Sequence, residues 1–179
     1  MRARNGIFFM VLALIAAQSA VAQFRFEMGF NAPVGYGVLN DKGIYGEFTN
    51  VLKEIGFLPI PFASVHVGMF DQGGGIGVGI KAHSAIIATI AYPSIMGEVS
   101  LSKCSVEASV GGLYALHYLV GGSFGITPIP ALVSELSIWY SLGRKGILRI
   151  GSGVSAIFPS DFSFSEMPYV GWIGLKAVL

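Results

Sequence analysis

Phe24, Phe26, Met28 and Phe30 alternate residue by residue with Arg25, Glu27, Gly29 and Asn31. In a strand, successive side chains point to opposite sides. One face of this segment is therefore large and apolar, and the other carries both charges. The same period recurs along the chain, and it is the strongest constraint on the fold. A soluble strand hides its apolar face in a core and covers the other face with polar groups. Here the polar partners are few, small and often glycine. Charged residues make up only 12% of the chain against 53% hydrophobic, about half the charged fraction usual for a soluble globule. The outside of such a chain must also meet an apolar medium.

Residues 61–70 set Ala63, Val65, Val67 and Met69 against Ser64, His66 and Gly68. After the turn signal Asp71-Gln72-Gly73-Gly74, Ile76, Val78, Ile80 and Ala82 oppose Gly77, Gly79, Lys81 and His83 as far as a break at Tyr92-Pro93-Ser94. The next segment, 95–103, places Ile95, Gly97, Val99 and Leu101 opposite Met96, Glu98, Ser100 and Ser102. Over 106–119, Ala108, Val110, Tyr114, Leu116 and Tyr118 oppose Glu107, Ser109, Gly111 and His117. Over 131–142, Leu132, Leu136, Ile138, Tyr140 and Leu142 oppose Glu135, Ser137 and Ser141. Over 147–158, Leu148, Ile150, Val154, Ala156 and Phe158 oppose Arg149, Gly151, Gly153 and Ser155. The last segment, 168–179, sets Tyr169, Ile173, Leu175, Ala177 and Leu179 against Trp172 and Lys176.

Eight segments result. Their connections alternate between long (37–60, 120–130, 159–167) and tight (71–74, 103–105, 143–146), with the short 92–94 link the exception. In an apolar medium every backbone group must be paired internally, which leaves helices or closed barrels. The one stretch long enough for a helical span, 108–134, is interrupted by Gly111-Gly112, Gly121-Gly122, Pro128 and Pro130. The fold class is therefore all-β, an eight-stranded antiparallel up-and-down transmembrane β-barrel. The competing fold is a soluble β-sandwich or lipocalin-like barrel, with apolar residues inside.

The N-terminus supplies a destination. Arg2 and Arg4 precede an apolar stretch from Ile7 to Ala17 and then Ala20-Val21-Ala22 before Gln23. A basic start, a short apolar run and an A-x-A site form a secretory signal peptide. Residues 1–22 are expected to be removed, leaving 23–179 as one barrel domain. Without Arg2 and Arg4, nine Lys/Arg face ten Asp/Glu, a net charge of −1 that gives no electrostatic footprint for nucleic acid. Cys104 is the only cysteine, so no intrachain disulfide forms.

Signal peptide, eight alternating segments, alternating connection lengths and a last strand running to the C-terminus together resemble the small OmpA/OmpX/OmpW-type outer-membrane barrels. The resemblance covers residues 23–179 and rests on architecture. It implies a porin-like, non-enzymatic integral protein of the bacterial outer membrane with both termini periplasmic. Its implied partners are outer-membrane lipid and the barrel assembly machinery. Such barrels usually end in Phe or Trp, whereas this chain ends in Leu179.

Arg25, Lys81, Arg149 and Lys176 share inward parity with Glu27, Glu98, Glu107 and Glu135. An eight-stranded lumen is just wide enough for side chains, and buried charges there must pair. These eight read as a neutral, structural ion-pair network that closes the lumen. The functional alternative is a proton or small-ion path. Barrel closure brings Glu27 beside Lys176. A lysine on the lipid face is expected to be costly, and replacements at lumen positions Gly29 or Ser137 milder.

His66 and His83 fall on paired strands some 13 Å apart, too far to share a metal ion, and no metal or other cofactor is expected. His83-Ser84 point to opposite faces of a strand, so these two side chains cannot pair with each other. In the connection 37–60, Thr49 is a candidate cap for a short helix over 50–55. Val51, Leu52, Ile55, Phe57 and Leu58 form an apolar patch, read as a lid over the barrel mouth or against the outer leaflet. The leading function is a structural or surface-interaction barrel with a closed, salt-bridged lumen. A conduit or binder for small hydrophobic molecules, implied by the OmpW-type resemblance, is the alternative, with an apolar cavity beneath that connection as its mark. A lipid-modifying barrel enzyme is a third.

Overall fold

The computed structural model describes residues 22–40, 43–47, 58–84, 88–119, 122–143, 145–159 and 166–179. Nine strands are found among them: β1 (Gln23–Asn40), β2 (Gly43–Glu47), β3 (Ile60–Asp71), β4 (Gly74–Ser84), β5 (Ala88–Leu101), β6 (Cys104–Leu119), β7 (Ser123–Leu142), β8 (Leu148–Pro159) and β9 (Glu166–Val178). From β3 to β9 each strand pairs antiparallel with the next, and β1 pairs with both β3 and β9. The sheet closes on itself as an eight-stranded ring, which removes the open edges. Closure runs to the last residue, since Leu179 and Phe26 exchange backbone hydrogen bonds of 2.8 and 3.1 Å. Among the described residues no helix is long and apolar enough to cross a membrane.

The outward set is apolar around the ring. Ile76, Val99, Ile138 and Ile150 are each at least half exposed, while their sequence neighbours Gly77, Glu98, Ser137, Trp139 and Gly151 turn inward. A wall of this kind, apolar outside and polar inside, is that of a transmembrane barrel. The soluble alternative requires the reverse.

Three expected connections are corrected. The 37–60 link is partly strand. β1 continues to Asn40, and β2 returns along it from Tyr36↔Glu47 to Asn40↔Gly43. Tyr36 also pairs with Val170 of β9, so β2 lies on the flank of β1 that β3 occupies lower down. The break expected at Tyr92-Pro93-Ser94 lies inside β5. There the β5–β6 ladder skips between Ala91 and Ser94, so a residue without an N–H sits where no ladder bond is needed. The 120–130 link is mostly the distal part of β7, which pairs with β6 from Ser123↔Leu119 to Pro128↔Tyr114. The register then shifts between Gly112 and Tyr114, where Gly112 and Leu113 both hold positive φ (121° and 67°). Prolines that mark a loop in sequence thus accompany bulges in the wall.

Gly29 is a further correction. A Cβ there would lie 2.1 Å from the Leu175 carbonyl oxygen on β9. Its replacement is a backbone collision and not a mild lumen change.

Candidate functional site

The lumen has three levels, named from the end that carries Gln23 and Leu179, here the terminal end. At this terminal end, β1, β5, β6, β8 and β9 each project a charge inward at nearly one height. Pairings of Glu98 with Glu107, Arg149 with Lys176, and Glu27 with Val178 fix that height. Arg25 Nη2 reaches Glu27 at 2.6 Å and Glu107 at 2.9 Å, and Nη1 bonds Glu98. Arg149 Nη1 donates to Glu98 at 2.6 Å, to Ser105 Oγ at 3.0 Å and to Glu107 at 3.3 Å. Lys176 Nζ lies 3.1 Å from both oxygens of Glu27 and 2.5 Å from Glu107 Oε2. It also sits 4.4 Å from the centroid of the Trp139 ring. Three cations and three carboxylates therefore interlock, with Glu107 touching all three cations. Lys176 is 1% exposed, so its ammonium has no solvent alternative.

The other two charges of the expected set of eight stand apart. Lys81 bonds Glu135, whose second oxygen is 3.5 Å from His83 Nε2. His83 also meets the Tyr92 hydroxyl at 3.1 Å. Parity placed all eight inward, but the height difference along the strands splits them into a six-membered cluster and a separate pair.

Phe62, Trp139 and Trp172 form the buried apolar layer at mid-lumen. The indole rings are 5.5 Å apart, and their N–H groups donate to Ser137 and Ser155, each at 2.9 Å. His66 is buried and meets Ser94 Oγ at 2.9 Å. Alternation gives inward parity for Trp139 and His66, but Ser94 falls in the expected 92–94 break, and the contacts depend on strand register. No group of three or more His, Cys, Asp or Glu is arranged to hold a metal among the described residues.

Above this layer the lumen changes character. A cavity of about 410 Å³ is lined by residues from all eight wall strands, with Ile60, Ile90, Val133, Ile157, Pro168 and Val170 supplying its apolar walls. Ile157 (46%) and Val170 (37%) are exposed although they carry the inward parity of Ser155 and Trp172. The floor is formed by Trp172, Tyr92, His83 and Glu135, and the last three are engaged with one another or with Lys81. Of the expected lid, Val51, Leu52, Ile55 and Phe57 lie outside the described residues, as does the helix expected over 50–55, and Leu58 is exposed.

Several solved structures are similar to this chain. Neisserial surface protein A aligns over 87% of this chain and 97% of its own at 8% identity, with a TM-score of 0.43. The N-terminal β-barrel domain of Pseudomonas aeruginosa OprF aligns over 88% and 99% at 7% identity, with a TM-score of 0.45. Ail, the attachment invasion locus protein of Yersinia pestis, aligns over 87% and 98% at 9% identity, with a TM-score of 0.40. No family model and no curated protein sequence matches the chain. The barrel itself rests on the β1–β9 ladder and the apolar outer wall described above.

Proposed function

We propose that this chain is a non-enzymatic bacterial outer-membrane barrel that holds a small, uncharged hydrophobic molecule in the distal half of its lumen. The terminal half is closed by the six-charge cluster. The reading is carried by the distal cavity, whose walls are apolar on the inward side, where lumen patterning calls for polar groups. A volume of about 410 Å³ falls in the range of small-molecule sites, roughly 300–1,000 Å³. A charged ligand has no free counter-charge on the floor, because Glu135 is committed to Lys81 and His83. The termini and tight turns are taken as periplasmic, so the cavity faces outward. Residues 1–22 are taken as the cleaved signal, and the β9 end as the segment offered to the assembly machinery. A structural or surface-interaction role with a closed lumen keeps the same lower half and leaves the cavity without a use.

Trp139 and Trp172 are the chain's only tryptophans and both lie in the lumen. N-phenyl-1-naphthylamine, an uncharged fluorescent probe, titrated into the refolded protein should accept energy from Trp172 in a saturable manner. Ile157→Glu, which puts a charge into the cavity wall, should abolish saturation while the barrel still folds. Transfer that rises without saturation and equally in both proteins would show only partition into the detergent or lipid, and would refute the binding role.

A further inference from the structure

Ser64 Oγ and His66 Nδ1 are buried without a hydrogen-bond partner, and so is Asn31 Oδ1. Ser64 and His66 are 3% and 2% exposed, so bulk solvent does not satisfy them. Buried polar groups are nearly always paired, with protein or with an internal water. All three residues line one small chamber of about 20 Å³, together with Lys81 and Glu135 above and Glu27, Glu107 and Lys176 below. A chamber needs about 10–15 Å³ on this measure to hold a water molecule, and polar partners to retain it. Both conditions hold here.

Ser64 and His66 are two residues apart on β3, so their side chains share a face about 7 Å apart along the strand. To hold one atom of each at about 2.7–3.2 Å, the two side chains must lean inside that spacing toward a single shared water. Its two lone pairs and two protons suit a hydroxyl, which donates or accepts, and an imidazole nitrogen, which does either according to tautomer. The other ring nitrogen of His66 is already engaged with Ser94.

We infer that the lower lumen contains a built-in water site, with Ser64 Oγ and His66 Nδ1 as its ligands and Asn31 Oδ1 on the chamber's edge. The bound water sits between two seals. Phe62, Trp139 and Trp172 line the chamber on the distal side, and the Glu27–Lys176–Glu107 ion pairs line it on the terminal side. It extends the polar column from the Lys81–Glu135 pair to the six-charge cluster, and it exchanges slowly with bulk. This site is separate from the apolar cavity and stands whether or not that cavity binds a ligand.

The test is a crystal structure of the refolded wild-type protein, with water contacts measured by NMR in micelles. Density for a water within about 2.7–3.2 Å of both Ser64 Oγ and His66 Nδ1, with long-lived water contacts to the same side chains, is the expected result. Ser64→Val removes one ligand and fills the chamber, so the long-lived contact to His66 should vanish while the remaining spectrum is retained. If that variant does not fold, Ser64→Ala is to be compared, with the contact weakened at His66. Direct bonding of Ser64 Oγ or His66 Nδ1 to a protein atom in place of water overturns the inference. So does a contact to His66 that is undiminished in the folded serine variant.

Discussion

Glu107→Gln isolates what the lumen charges contribute. The substitution keeps shape and removes one negative charge from the centre of the cluster. Arg25, Arg149 and Lys176 all approach this carboxylate, at 2.9, 3.3 and 2.5 Å. Three cations then face two carboxylates. Lys176, at 1% exposure, retains only Glu27. Breaking a buried pair by removing one partner costs about 3–5 kcal/mol, because the other charge is left uncompensated. Glu107→Gln should fall at the upper end of that range. Glu27→Gln and Glu98→Gln, each removing contacts to two cations, should cost less. Adding Lys176→Met to Glu107→Gln restores a balance of two against two and lays an apolar chain on Trp139, so the double variant should recover much of the loss. Reversible urea unfolding of wild type and of each variant in lipid vesicles, followed by tryptophan fluorescence, gives the four free-energy differences. A Glu107→Gln cost within about 0.5 kcal/mol of wild type, the range of an ordinary surface change, would refute the interlocked cluster. A double variant less stable than Glu107→Gln alone would refute the role of charge balance.

Four further outcomes follow from the wall and the termini. Ile138→Lys, on the lipid face, should cost roughly 2–4 kcal/mol in the same assay, while Ser109→Ala, inward on the adjacent β6, should cost clearly less; equal costs would remove the two-faced wall. Gly29→Ala should destabilise despite its size, because its Cβ meets the β9 backbone, and a neutral result in unfolding would show that the two strands separate there at no cost. Cys104 is exposed beside the β5–β6 turn at the terminal end, so a maleimide too large for the outer membrane should label it only in permeabilised cells; labelling in intact cells would invert the orientation. N-terminal sequencing of protein extracted from the outer membrane should begin at Gln23, and recovery of Met1 would contradict removal of residues 1–22.

The period-two pattern made the barrel legible because a closed sheet has only two faces and the sequence marks them residue by residue. Phe26 against Glu27 and Ile138 against Ser137 are enough to orient β1 and β7. The inward parity of the eight charges is equally direct, and the closure that joins β1 to β9 brings Glu27 to Lys176. Height was not legible. Parity assigns Lys81 and Arg149 to one lumen without saying that several residues of strand separate them, which is why the set divides. Local turn chemistry also misleads where a bulge absorbs it. Pro93 and Pro128 read as connections, yet each lies in a strand near a ladder that skips. The distal cavity was hidden for a similar reason. Ile90, Val133, Ile157 and Val170 are inward residues that are apolar, and a pattern that equates inward with polar passes over them. Only the register, which brings them to one level from four strands, shows that they face each other across a shared space.

The lumen is shut at one end by interlocked charges and opens at the other into an apolar chamber. Planar-bilayer recording of the refolded protein tests it most directly. The expected result is a silent membrane, with no discrete conductance steps, because no continuous aqueous path passes the Arg25–Glu107–Lys176 cluster. Reproducible single-channel steps from the wild-type protein would contradict it.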